Sequence, residues 1–217
     1  MTALKIDLYT EISCPWCIIG QHRLDKVLTE SFPGLAVDIE HHPVILTADC
    51  PPEGTRIADL LKSRHGVTDP SAAWARPHAE ARASGLDLDL SRQLFAYPTL
   101  NAHTLIRWAR PRGTQHALAS AISKAYFMDA LNISNSEVLA DIALQHGFER
   151  DEVITLLADE EERAETQHRV VRSAKAGVKS VPHFVFNGRI AISGGRSERE
   201  LTDAIASAHT SESTTPP

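Results

Sequence analysis

Two cysteines separated by Pro-Trp, Cys14 and Cys17 in the stretch YTEISCPWCIIG, are the residues of this chain best suited to chemistry. Three readings compete: a redox couple, half a zinc site, or two buried thiols. A strand that ends at Ser13 and passes to a helix at Pro15 puts Cys14 at a helix N-terminus. Unpaired backbone N–H groups and the macrodipole favour negative charge there, and proline suits the first helical position. Cys17 then lies one turn deeper on the same face, within disulfide reach of Cys14. As a couple, Cys14 is the more exposed nucleophile, its pKa lowered from about 8.5 into a range of roughly 3.5 to 7.5. Cys17 is the buried resolving thiol, and exchange runs through a mixed disulfide on Cys14. Zinc needs two more ligands. Cys50 with His41 or His42 is the set on offer, against which stand a proline inside the knuckle and a helix beginning at the first cysteine. Mere packing would be an odd use of Pro-Trp at such a junction. The motif alone leaves the three open, and its context must decide.

That context includes Val181-Pro182 in KSVPHFVFNG. A proline cannot donate to a strand ladder, so Pro182 belongs at a strand's first residue or in a tight turn. The bond before it is a candidate for cis, trans being the commoner state of any X-Pro. If the returning strand lies beside the first one, Val181 and Pro182 border Cys14. Trp16, between the cysteines, is expected on the exposed rim, contacting substrate or shielding the disulfide. Glu11 reads as a solvated strand-end carboxylate, with a proton relay to Cys17 as its alternative. Cys50, alone among turn formers in TADCPPEGT, reads as a passive loop thiol. The eleven histidines show no HxH or HExxH spacing, and His41-His42 would point to opposite faces of a strand, so no metal is expected.

The elements that must position these residues are legible in the pattern. Lys5 to Thr10 and Leu35 to Val44 alternate as strands, and the helix between them stops near Phe32-Pro33-Gly34. From about Pro51 to Ala176 amphipathic blocks predict helices over 56–65, 71–84, 102–109, 115–131, 136–146, 150–157 and 159–176. Asn135 and Ser136 resemble N-caps, and Gly66, Gly85, Gly113 and Gly147 fit stops or turns. Strands return after Pro182, joined at Asn187-Gly188, a strong hairpin signature. A last helix runs from Ser197 to about Ser207, with Glu200 completing a capping box. The order is βαβ, a helical block, then ββα, which makes the block an insertion into a small helix-covered sheet.

The chain has 217 residues, 42% hydrophobic and 23% charged, with a net charge of −6. Basic residues are scattered among acids, so nucleic acid is a poor partner, and no apolar run approaches the roughly 20 residues of a membrane span. The N-terminus lacks the apolar core of a secretion signal, and the cytosol is the expected compartment. Three cysteines cannot form a disulfide framework. EEERAE at 160–165 reads as a solvated helix face.

With CPWCIIGQHRL after the first strand, Ala102, His103 and Leu105 as an A-H-x-L segment, GVKSVPHFVFNGR and ISGGRSERELTDAI, the sequence resembles the DsbA family of thioredoxin-fold proteins and looks most like its FrnE-like branch. The resemblance implies an α/β thioredoxin-like fold with a large inserted α-helical domain. Residues 1–45 and 177–209 are then the two parts of the thioredoxin-like domain, 46–176 the insertion and 210–217 a disordered tail. It implies thiol–disulfide exchange with Cys14 as nucleophile, Cys17 as resolving thiol and Pro182 as a cis-proline shaping a substrate groove. Pro15, Trp16 and Val181 are expected at that groove, and the resemblance adds His103, with a capping or core histidine as its alternative. Partners would be thiol- or disulfide-containing proteins or small molecules, without nucleic acid or membrane, and a homodimer is the prior. No bound cofactor is implied. Related kappa-class glutathione transferases and 2-hydroxychromene-2-carboxylate isomerases use glutathione, generally with Ser at the position of Cys14, so a glutathione-dependent isomerase or transferase acting on a small aromatic or polyketide-like substrate is the alternative, with glutathione as co-substrate. A chaperone-like binding module is a third. Two departures stand out: Pro98-Thr99 where relatives tend to carry Asn-Thr, and His183 rather than Thr after Pro182. His183 reads as a lining residue, with tuning of the thiolate as its alternative.

Overall fold

A computed structural model describes residues 3–210. Strand β1 (Leu4–Thr10) alternates as its sequence does, burying Leu4, Ile6 and Leu8. Cys14 then caps helix α1 (Pro15–Ser31) with extended backbone, and Pro15 opens the helix. Strand β2 (Val37–Pro43) runs parallel to β1, from Leu4 opposite Val37 to Thr10 opposite Pro43. Two-residue strand β3 (Thr55–Arg56) leads into α2 (Ile57–His65) and α3 (Pro70–Ala83), and pairs with β4 (Phe95–Ala96). This small second sheet carries too few residues to show alternation and was not expected from the sequence.

Helices α4 (Leu100–Trp108), α5 (Gln115–Phe127), α6 (Ser136–Ala143, extended by a 3-10 turn to His146), α7 (Arg150–Ala158) and α8 (Glu160–Lys175) follow. The fifth helix stops four residues before the expected Leu131, because Ala130 takes a left-handed backbone, φ 54°. Asn135 caps α6 by accepting from the Glu137 amide at 2.8 Å. Strands β5 (His183–Phe186) and β6 (Ile190–Ser193) form an antiparallel hairpin, and the main sheet has the order β2-β1-β5-β6. Asn187 and Gly188 both have positive φ, 49° and 65°, as the centre of a primed turn requires; the Arg189 amide closes that turn on the Phe186 carbonyl at 3.0 Å, and three residues separate the paired Phe186 and Ile190. The final helix α9 (Glu198–Thr210) begins at the expected box: the Ser197 amide donates to Glu200 Oε2 at 2.9 Å, and the Glu200 amide to Ser197 Oγ at 3.3 Å. It reaches Thr210, the first residue of the expected tail; the rest of that tail, 211–217, lies outside the described residues.

Two apolar clusters organise the molecule, and α1 belongs to both. Leu24 and Val27 join the sheet core with Ile6, Leu8, Phe184 and Phe186 beneath α9. Ile18 and Ile19 join the core of the helical segment with Leu105, Leu118, Ile122, Leu139 and Val153. Each fully buried side chain of this kind contributes about 1.5–3 kcal/mol, so α1 and the cysteines on it are anchored from both sides. Among the described residues no helix is long and apolar enough to cross a membrane.

Candidate functional site

The site begins where β1 ends. Thr10, Glu11 and Ile12 are buried, and the chain turns so that the Cys14 amide donates to the Glu11 carbonyl at 3.1 Å. Cys14 caps α1 and Cys17 follows one turn later, its amide donating to the Cys14 carbonyl at 2.9 Å. Both thiols are free; Cys14 is 7% exposed and Cys17 2%. The order of exposure matches the expected division of labour, although Cys14 is itself well covered.

The two sulfurs are driven apart electrostatically. The Cys14 thiol is held below its ordinary value, chiefly by a hydrogen bond from the Cys17 thiol, which outweighs burial; the amides of Cys17 and Trp16 add to the effect. Cys17 is pushed well above its ordinary value by burial first, then by its bond to Cys14 and the charges of Cys14 and Glu11. Of the two, the sulfur at the helix N-terminus gives up its proton the more readily, and the deeper one holds its proton more tightly.

Glu11 is where sequence reading and structure part. It is not solvated: its residue is 1% exposed. Its carboxylate accepts from the Leu46 amide at 3.0 Å and Thr99 Oγ1 at 3.2 Å, with a longer bond from the Ser13 amide at 3.4 Å. His103 is its fourth neighbour, Nε2 lying 3.5 Å from Glu11 Oε1. That nitrogen has no hydrogen-bond partner among the described residues. His103 is thus a core residue, 4% exposed, which is the core alternative and not the groove position. The departure at Pro98-Thr99 acquires a place in the same cluster through Thr99.

The Val181–Pro182 peptide is cis. Pro182 precedes β5, level with the end of β1, since Tyr9 pairs with His183. It is buried against α1 one turn beyond Cys17: a Cβ on Gly20 would lie 2.7 Å from Pro182 Cγ. Only glycine permits that approach. Val181 is half-buried. His183 turns to the other side of the strand, bonded to Ser193 Oγ at 2.6 Å with its ring against Tyr9. Trp16 is half-buried and not a free rim residue. Its ring rests on Gly195, where a Cβ would collide with it, and the Arg76 guanidinium lies 5.1 Å above its centre.

The residues of the zinc alternative are engaged elsewhere. His41 bonds His116 at 2.8 Å, His42 bonds Asp7 at 2.8 Å, and Cys50 donates to the Ala96 carbonyl at 3.2 Å. Asp7, Glu40 and His42 do converge, but Lys5 already lies 3.3 Å from Asp7 and 3.6 Å from Glu40.

Beside Cys14 opens a cavity of about 450 Å³, bounded by Ser13, Cys14 and Pro15 at one end and by α2, α3, Leu90 and Phe127 elsewhere. Sequence reading did not single out these walls. The available signal was Ile57, Leu60 and Leu61, an apolar stripe at helical spacing on an otherwise polar helix.

The sequence matches the profile of the DSBA-like thioredoxin domain over residues 5–206. The chain belongs to that family. No protein of curated function matches it. Among solved structures, a probable DsbA oxidoreductase from Streptomyces coelicolor is 25% identical, with TM-score 0.85 over 99% of this chain and 92% of that one. A 2-hydroxychromene-2-carboxylate isomerase shares the fold at TM-score 0.72 and 13% identity, covering 98% of this chain and all of its own. A glutathione-bound cytosolic disulfide reductase, DsbM from Pseudomonas aeruginosa, does so at TM-score 0.62 and 19% identity over 96% and 99% of the two chains. The DsbA-like fold and oxidoreductase family are thereby fixed, with neighbours of both reductase and isomerase type.

Proposed function

We propose that the protein is a dithiol–disulfide oxidoreductase that works through Cys14 and Cys17. The observation that carries this reading is the opposite displacement of the two thiols at one helix N-terminus. In the reducing direction the Cys14 thiolate attacks a substrate disulfide, forming a Cys14–substrate bond and releasing one substrate thiolate, which takes a proton from solvent. Cys17 then loses its proton and attacks Cys14, releasing the second substrate thiolate and leaving a Cys14–Cys17 disulfide. Glu11, whose charge acts on both sulfurs, is our candidate acceptor for the Cys17 proton. The substrate is reduced by two electrons and the protein oxidised by two; the opposite direction reverses each step. The glutathione-bound relative makes glutathione the first small thiol to test as co-substrate, with the cytosol as the proposed setting.

The test is turnover of a disulfide substrate with glutathione as reductant. Cys14→Ser abolishes it, and Cys17→Ala accumulates a mixed disulfide on Cys14 visible by mass spectrometry. Turnover retained in Cys14→Ser sinks the reading. A second reading, glutathione-dependent isomerisation of a small molecule, is favoured by the cavity beside Cys14, and its sign is activity that survives Cys17→Ser.

A further inference from the structure

Helix α2 contains Ile57, Leu60 and Leu61, yet none of its residues is buried. All three line the cavity beside Cys14. A nine-residue helix draws little stability from its own backbone, so an apolar face turned toward an open cavity is a surface for something else to cover. Opposite it stand Trp74 and Pro77 of α3, with Phe127 beyond.

The charge of the cavity opposes that of the molecule. The whole chain has 28 acidic residues against 22 lysines and arginines, yet Arg64 and His65 line the cavity and no Asp or Glu does. Arg64 donates to the Leu46 carbonyl at 3.1 Å and pairs with Asp49, whose side chain is 79% exposed. Such a solvated counter-ion is bound weakly, and a guanidinium has further donors to give. The volume, about 450 Å³, lies in the range that holds one small ligand.

We propose that this cavity binds the body of a small amphipathic acid: a thiol or disulfide whose sulfur is carried on an apolar, ring-bearing frame with a carboxylate or sulfonate. The ring lies between α2 and α3, the acid meets Arg64 and His65, and the sulfur meets Cys14. The choice of substrate rests on the exchange reading above, whereas the cavity and its preference for an apolar anion do not. With such a disulfide, the Cys14 thiolate bonds to the sulfur of the half held in the cavity and the other half departs as a thiolate; Cys17 then gives up its proton and attacks Cys14, releasing the ring-bearing thiolate and leaving the Cys14–Cys17 disulfide.

Two measurements separate these parts. Titration of 8-anilinonaphthalene-1-sulfonate into the Cys14→Ser protein reads the cavity without the couple. One saturable site is expected, weakened about tenfold by Leu60→Asp and by Arg64→Gln. In the intact protein, exchange with 5,5′-dithiobis(2-nitrobenzoate) is compared with exchange with 2-hydroxyethyl disulfide. Each substitution raises KM for the aromatic acid about tenfold and moves KM for the hydroxyethyl compound by less than about twofold. No saturable dye site, dye binding indifferent to both substitutions, or equal effects on both disulfides overturns the proposal. A KM shift confined to an unfolded cysteine-containing polypeptide overturns it in favour of a polypeptide substrate. A dye site in a protein that exchanges no disulfide removes the exchange reading and keeps the cavity.

Discussion

The two sulfurs of the CPWC segment hold each other's protons unequally, and single substitutions can read that coupling. The largest influence lowering the Cys14 thiol is the hydrogen bond from Cys17, and Glu11's charge pushes it the other way. Removing the donor in Cys17→Ala therefore raises the pH midpoint of Cys14 alkylation, and removing the charge in Glu11→Gln lowers it. The rise in Cys17→Ala is the larger of the two changes, because the Cys17 hydrogen bond is the leading influence on the Cys14 thiol and Glu11's charge the least. Iodoacetamide labelling across pH with peptide mass spectrometry checks both signs, and a midpoint that falls in Cys17→Ala would refute the assignment of donor and acceptor. At this scale the sequence is informative about identity and poor on depth. CPWC was readable because Pro15 and the strand-to-helix junction place the sulfurs through local backbone geometry alone. Glu11 was misplaced, and His103 was left between groove and core, because Glu11 meets Leu46, Thr99 and His103 only through tertiary folding.

Helix α1 and strand β5 meet at a glycine, which makes their packing testable. Gly20→Ala would put a methyl 2.7 Å from Pro182 Cγ and 3.3 Å from Phe184 Cζ. Both belong to buried residues, so at 2.7 Å the packing around them must shift. Overpacking of this kind costs about 1–3 kcal/mol, and because Pro182 lies beside the turn of α1 that follows Cys17, turnover falls along with stability. Thermal unfolding and a kcat measurement on the same variant check the pair, and a variant as stable and active as the parent would show that the contact is slack. Elements such as this helix were foreseen because 3.6-residue periodicity and end signals agree, as at Asn135 before α6 and Ser197 before α9. Strands β3 and β4 were not, since two residues carry no period and their pairing spans a separation no local pattern encodes.

For the molecule as a whole, the helical block reads in sequence as an insertion into the sheet, and α1 completes the block's core. Ile12, Ile18 and Ile19 lie in one apolar cluster with the inserted helices, and Arg23 of α1 ties the halves a second time. Its buried guanidinium bonds Ser84 Oγ at 2.6 Å, Glu80 Oε2 at 2.6 Å and the Arg196 carbonyl at 2.9 Å, joining the insertion to the loop before α9. A compositional shift marks where helices begin and end, and cannot mark which neighbour fills their core. Both ties predict one cooperative unfolding transition, with near-UV and far-UV circular dichroism coinciding. Arg23→Ala removes the polar tie and leaves Glu80 partly solvated, its side chain 39% exposed. The expected loss is therefore about 2 kcal/mol, in the range of hydrogen bonds to a charged group. The transition should move down intact. Trp74 and Trp108 belong to the insertion and pack against its core, so in a Trp16→Phe background the remaining fluorescence reports that part. Should it separate from the far-UV signal in Arg23→Ala, the insertion holds together without α1, and the shared core is not what anchors the cysteines.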